Sequence, residues 1–409
     1  MAASIERVCE KLTHERGRGL FTTEYVRAGD VLFEEEPLVA CQFSWNACCH
    51  FDACDYCMRS LETAEQNARR LSKQESLVLP HPECCETQLL QHVVCEGCGT
   101  RYCCAECRST AFTKYHRSIC DGSKKELESH PLRVLENTWK DMHFPPETTS
   151  IGLFVKLFAM LQQADKKDVL LAKLEKFCSK SKEEDTNHVH KLLGPQFVEN
   201  LEVLREMLLQ LFGELVPDWL TCDGFRSLFA MVGRNGQGIG TSSLEVWERN
   251  CNELDLPKAL KDQLDEFISM MREEIRVADS TYIDEDGIEQ YCDNVHPFLD
   301  CEGSGLYSMQ SAINHSCVPN AEVNFPYNNF VCRVVATQDI LPDQEVFISY
   351  LDDCMLGSSR HSRQKNLKEN YLFVCGCEKC MAQANDPDVT SEEDSDLDSD
   401  EYIEEDSMS

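Results

Sequence analysis

The hydrophobic pattern changes character several times along the chain. Residues 18–40 (RGLFTTEYVRAGDVLFEEEPLVA) carry short apolar runs around a turn signal at Ala28, Gly29 and Asp30, which predicts a pair of short strands. From about 48 to 120 the apolar pattern gives way to cysteine. Helical spacing follows. Leu201, Leu204, Leu208, Leu211 and Leu215 recur at intervals of three and four, as do Leu260, Leu264, Phe267, Met271 and Ile275, with Pro257 near a helix start. These stripes read as core faces and carry no functional weight. From 303 the chain is strand-like again: GSGLYSM, then AEVNF and FVCRVVA around a turn at Pro326–Asn329, then EVFISY.

Charge narrows the partners. The 409 residues include 39 basic and 72 acidic side chains, a formal net charge of -33. A chain this acidic is repelled by bare nucleic acid and by anionic lipid, so no direct nucleic-acid or membrane partner is expected and a polyelectrolyte partner should be a basic protein or peptide. Residues 386–409 (DPDVTSEEDSDLDSDEYIEEDSMS) hold twelve of the carboxylates and no Lys or Arg, and read as a disordered acidic tail; without those twelve charges the body stands at -21. The start, MAASIERVCEKLTHERGRG, is polar and no apolar run approaches a membrane span, so an intracellular, reduced protein is expected.

In a reduced compartment the 25 cysteines read as metal ligands more readily than as disulfides. Cys54 and Cys57 form a first CxxC pair. CEGCGTRYCCAECRSTAFTKYHRSIC then supplies Cys95 and Cys98, Cys103 and Cys107, and His116 and Cys120. Four pairs in this order suffice for two tetrahedral zinc sites. Cys9, Cys41 and Cys222 read instead as small packed thiols.

A second cluster lies near the C-terminal end. Cys375, Cys377 and Cys380 in YLFVCGCEKC are one thiolate short of a closed zinc site, and Cys317, in INHSCVPN at 313–320, is the obvious fourth. The adjacent His315, Ser316 and Cys317 also invite a hydrolase reading. Neighbouring side chains on an extended chain point apart, however, so they rarely form a base–nucleophile pair. Gly236, Gly238 and Gly240 resemble a phosphate loop, but no Gly-Lys-Ser follows them.

The four-pair block resembles the MYND zinc finger. That resemblance implies interleaved ligation, with Cys54, Cys57, Cys103 and Cys107 on one zinc and Cys95, Cys98, His116 and Cys120 on the other. The 37 residues between Cys57 and Cys95 exceed the usual spacing, and Cys84, Cys85 and Cys104 are rival ligands. GRGLF at 17–21, Asn-His-Ser-Cys, a strand ending in Tyr350 and the Cys-x-Cys-x-x-Cys segment together resemble the SET domain. The combination is similar to the SET and MYND domain-containing protein lysine methyltransferases over residues 16–380.

The resemblance implies an α+β fold: a SET-domain β-fold of short strands with an inserted MYND finger and a helical insert, a zinc-binding post-SET segment and the acidic tail. The expected divisions are 1–50 and 301–352 for the SET domain, 51–120 for the finger, 121–300 for helical linker and insert, 353–385 for the post-SET segment and 386–409 for the tail. It further implies S-adenosylmethionine as methyl donor and three zinc ions per chain. Asn314 and His315 should hold the cofactor, Arg16 and Arg18 should face its charged amino-acid end, Asn235 should line its pocket and Phe373 should wall the adenine. Tyr350 should touch the cofactor and act as the catalytic tyrosine, with Tyr371 lining an aromatic lysine channel. The substrate expected is a basic protein such as a histone or a ribosomal protein, met by a monomer in nucleus and cytoplasm. The competing reading is a non-catalytic adaptor whose finger binds proline-containing peptides; a zinc hydrolase using Cys317 ranks third.

Overall fold

The computed structural model describes residues 7–14, 16–47, 50–120, 122, 129–142, 150–177, 197–213, 215, 218–279, 282–283, 289–290 and 301–386. Apart from Asp386, the acidic tail lies outside the described residues. No helix among the described residues is long and apolar enough to cross a membrane.

Among the described residues, short strands form six small sheets. β1 (Val8–Thr13) and β2 (Gly17–Thr22) make an antiparallel hairpin whose turn brings Thr13 opposite Gly17. Gly17 has φ +72°, a conformation in which a side chain would be strained. β3 (Val31–Glu35) follows the turn at Ala28–Gly29 that the sequence predicts, and β4 (Val39–Gln42) comes next. β5 (Val93–Val94) and β6 (Arg101–Tyr102) pair within the cysteine block. β7 (Gly236–Gly240) lies inside the stretch read as helical; β8 (Tyr282–Ile283) pairs with β9 (Glu289–Gln290). β10 (Cys301–Leu306) sits between β4 and β7. β11 (Asn314–His315) runs parallel to β14 (Phe347–Ile348), while β12 (Ala321–Asn324) and β13 (Cys332–Ala336) complete a sheet with β3 in the order β12-β13-β3. The glycines of β10 serve close approach: a Cβ on Gly303 would stand 2.1 Å from the Cys41 carbonyl oxygen.

The helices bury large aromatic side chains. Phe154, on the helix Ile151–Gln163, stacks on Phe229 of the helix Cys222–Asn235 at 5.4 Å between ring centroids, and Trp139 and Phe225 close the same cluster. Burial of this cluster fixes the helix Cys222–Asn235, whose last residues deliver Arg234 and Asn235 to the cavity described below.

The segment between Cys57 and Cys95 packs rather than loops outward. Its helix Ala64–Ser72 starts with a capping box between Thr63 and Gln66. The helix buries Ala64 and Ala68 in one cluster with Leu244, Trp247, Leu264 and Met271. Trp247 Nε1 donates to the carbonyls of Pro80 (2.8 Å) and His81 (3.1 Å).

Three expectations need correction. Leu260 is 51% exposed although it falls on the second helical stripe; it lies in the first turn of the helix Lys258–Asp279, before that face reaches the core. Leu215 lies beyond the end of the helix Phe197–Phe212. Cys222 is exposed at the start of its helix, not packed as a small apolar side chain.

Candidate active site and metal centres

Folding brings the cysteine pairs together in three sets of four. Cys54, Cys57, Cys103 and Cys107 form one, Cys95, Cys98, His116 and Cys120 the second, and Cys317, Cys375, Cys377 and Cys380 the third; within each set the donor atoms lie within 4.8 Å of one another. A tetrahedral zinc with Zn–S bonds of about 2.3 Å separates its sulfurs by roughly 3.8 Å. The sulfurs observed are 3.6 Å apart for Cys57 and Cys103, 3.5 Å for Cys103 and Cys107, 3.6 Å for Cys95 and Cys120, and 4.0 and 3.6 Å from Cys317 to Cys375 and Cys380. Soft sulfur and imidazole donors at these separations fit zinc. The rivals are not among these sets: Cys84 and Cys85 pack in the cluster around Trp247, and Cys104 stands at the N-cap position of the next helix with its Sγ 3.9 Å from that of Cys103.

Each set contains a thiol poised to ionise. Hydrogen bonds from Cys103 and Cys107 hold Cys54 far below the ordinary thiol range. Burial pushes Cys95 up, but the backbone N–H of Cys98, His116 and the N–H of Gly97 outweigh it and hold it at about 6. The thiol of Cys317 draws Cys375 down to about 3 against the effect of burial. The third set has a further counter-charge. Arg363, fully buried, directs Nη2 at Cys380 Sγ (3.7 Å) and is fixed by Ser358 O and Gln383 Oε1 at 2.5 and 2.7 Å. Four thiolates and one zinc carry a net charge of -2, and a guanidinium there reduces the cost of burying it.

Beside this third set lies a cavity of about 1020 Å³. Arg16, Arg18, Asn235, Asn314, His315, Tyr350, Tyr371 and Phe373 all line it, although they come from stretches as distant in sequence as the β1–β2 hairpin and residues 371–373. The rings form one aromatic wall. Tyr350 and Tyr371 are 4.7 Å apart, His315 lies 5.4 Å from Tyr350 and 6.0 Å from Phe373, and Tyr350 meets Phe373 edge-on at 6.2 Å. Burial pushes the Tyr371 hydroxyl above its ordinary pKa, keeping it neutral.

Hydrogen bonds fix the wall. The parallel pairing of β11 with β14 sets Asn314 beside Phe347 and His315 beside Ile348. Tyr350 Oη donates to Ile313 O at 2.6 Å, and Tyr371 Oη reaches Tyr350 O at 3.4 Å. Asn314 Nδ2 donates to Glu345 Oε1 (2.8 Å) and Arg18 O (3.1 Å). Asn235 is buried with its amide bonded to Met231 O at 2.8 Å.

The cationic end is paired within the chain. Arg16 bonds Glu345 at 2.9 Å and lies 5.1 Å from the Phe347 ring, while Arg18 is 3.8 Å from Glu10. The sequence reading missed Glu345, Arg234 and Lys176 in this lining. No local motif marks them, since only the tertiary fold carries them there.

Similarity to known proteins identifies the family. The SET domain family model matches residues 17–351. The protein-lysine N-trimethyltransferase SMYD5 of Gallus gallus is 47% identical, covering 93% of this chain and 87% of that one; its Homo sapiens counterpart is 48% identical, covering 92% and 87%. The histone-lysine N-methyltransferase SMYD3 of Homo sapiens is 32% identical over 41% of each chain. The chain belongs to the SET domain family, and within it to the group that also carries a MYND finger.

Proposed function

We propose that the chain transfers a methyl group from S-adenosylmethionine to the side-chain amine of a lysine in a basic protein, such as a histone or a ribosomal protein. It is a protein-lysine methyltransferase by its relationship to proteins of that activity over nine-tenths of its length. What carries the reading at the level of residues is the meeting of Tyr350, Tyr371, Phe373, His315, Asn314, Asn235, Arg16 and Arg18 at one cavity.

The residues divide the work by their chemistry. S-adenosylmethionine, when bound, supplies an electrophilic methyl on a positive sulfonium. Asn314 and the backbone around His315 would hold the donor, Arg16 and Arg18 would attract its carboxylate, Asn235 would line its pocket and Phe373 would wall its adenine. Tyr371 and Tyr350 give a narrow aromatic passage that accepts the aliphatic stem of lysine and, by ring quadrupoles, its cationic head. The Tyr350 hydroxyl orients the amine toward the methyl, and the packed rings exclude water. Alignment of this kind contributes several kcal/mol to barrier lowering. Three zincs would hold the frame, with Cys317 tying the wall to the post-SET segment. The net charge of -33 favours a basic partner.

The test is calorimetric titration of S-adenosylmethionine, followed by incubation of labelled donor with basic protein fractions. Saturable binding and label on lysine are expected. Absence of both would favour the adaptor reading, in which the finger binds proline-containing peptides and the cavity is idle.

A further inference from the structure

Two stretches far apart in sequence line the cavity: Arg234 and Asn235, where a helix runs into β7, and Ser311, Asn314 and His315, which follow β10. β7 and β10 are paired as far as Gly236 opposite Leu306. Beyond Leu306 the chain leaves that sheet, and its backbone donors need other acceptors. The Glu35 carboxylate, at the end of β3, takes them: Met309 N lies 3.0 Å from both of its oxygens and Gln310 N lies 3.0 Å from Oε2. Gln310, only 6% exposed, then sends Nε2 to Gln237 Oε1 at 2.8 Å, two residues beyond Asn235.

We propose that Glu35, Gln310 and Gln237 form a positioning relay that sets the spacing between these two linings and so the fit of the methyl donor; the proposal rests on the methyltransferase reading above. None of the three touches the reacting atoms. Glu35 fixes the backbone of the turn that leads to Ser311, Asn314 and His315. Gln310 ties that turn to Gln237 and thereby to Arg234 and Asn235. Burial outweighs the N–H groups of residues 308–310 and holds the Glu35 carboxyl above its ordinary pKa. Bonds of 2.8–3.0 Å from two half-buried side chains hold the buried Gln310 and its turn in one place, and a displaced lining misaligns an in-line transfer.

The relay is tested by titrating S-adenosylmethionine into zinc-loaded wild type, Glu35→Gln, Gln237→Met and the double variant, with Tm and zinc content measured alongside. Glu35→Gln turns an amide donor toward backbone donors. Its affinity for the donor molecule should fall about tenfold or more, and that of Gln237→Met by about three- to tenfold, with zinc content unchanged. Both act through one turn, so the double variant should lose less than the product of the single losses. Affinities within about twofold of wild type would overturn the proposal, as would losses accounted for by the unfolded fraction read from Tm. If Glu35→Gln does not fold, Gln237→Met decides alone, since its half-buried side chain tolerates the exchange. Wild type that binds no S-adenosylmethionine would overturn the methyltransferase reading itself, and the relay with it; intact wild-type binding with unaltered variants would overturn the relay only.

Discussion

His315 holds Tyr350 and Cys317 at once: its Nδ1 accepts the Tyr350 backbone N–H at 2.9 Å while its Nε2 lies 3.4 Å from Cys317 Sγ. Acceptance at Nδ1 leaves the proton of the neutral ring on Nε2, aimed at the sulfur. One imidazole therefore links the cavity wall to the third metal set, in the way that outer partners orient metal ligands.

The first prediction follows from that link. His315→Ala should reduce turnover and also speed zinc loss to a chelator, because the Tyr350 N–H and the Cys317 sulfur lose a partner together. A buried hydrogen bond removed on one side costs about 1–3 kcal/mol, or roughly five- to 150-fold in rate or affinity. Kinetics of zinc release and of methyl transfer, measured on one preparation, check it. Slower turnover with wild-type zinc retention would mean that the link to Cys317 carries nothing.

Cys317→Ser separates the ligand reading from the nucleophile reading. Serine is a poor zinc ligand, so zinc content should fall from three toward two per chain. Phe373 and Tyr371 belong to the segment that Cys375, Cys377 and Cys380 anchor, so donor affinity should weaken as well. Elemental analysis beside calorimetry reads both. Three zincs, normal affinity and no turnover would restore a nucleophilic Cys317.

Much of this site is legible in the sequence, and the reasons differ by residue. Zinc ligands must come in short spacings, so Cys54 and Cys57, Cys95 and Cys98, and Cys377 and Cys380 stand out locally. The choice of Cys103 over Cys104, and the exclusion of Cys84, depend on which thiol faces the metal, and only packing decides that. Asn314, His315 and Tyr350 lie in stretches whose order marks them. Glu345 and Gln310 do not: an acid in a strand approach and a buried amide have many bland uses, and their partners, Arg16 and Gln237, lie 329 and 73 residues away. Leu260 shows the opposite failure, since periodicity marks a face but not where the face begins to be covered.

Acid should empty the metal sets in order. The Cys95 thiol, held near 6 against an ordinary value of 9.0, contributes stability that is complete above 9.0 and lost as pH falls through about 6. In the third set Cys375 is held near 3 by the thiol of Cys317, which the same pairing pushes up, so the two share one proton. Metal binding requires thiolates and a neutral imidazole, so zinc at Cys95, Cys98, His116 and Cys120, the more exposed set and the one with a protonatable histidine, should leave on acidification before zinc at Cys317, whose set is more buried and backed by Arg363. Single-set variants, Cys98→Ser and Cys380→Ser, assign each release step by zinc-indicator titration. Release of the Cys317 zinc first would contradict the order.

Tyr350→Phe is the sharpest test of the active site. The change deletes one oxygen, which donates to Ile313 O at 2.6 Å, and leaves the ring that meets Tyr371, His315 and Phe373 in place. Loss of a single hydrogen bond costs about 1 kcal/mol of stability, too little to unfold a chain of this size. Donor affinity should therefore stay within a few fold of wild type, because Asn314, His315 and Phe373 remain. Turnover should fall by about a hundredfold or more if the hydroxyl orients the amine, since an interaction made in the transition state is removed. Tyr371→Phe should behave differently: its hydroxyl reaches Tyr350 O at only 3.4 Å, so its loss should raise the KM for the lysine peptide more than it lowers kcat. Steady-state kinetics with a lysine peptide, beside calorimetry of the donor, separate the two. Wild-type kcat in Tyr350→Phe would remove this tyrosine from the chemistry and leave it as a brace for Ile313.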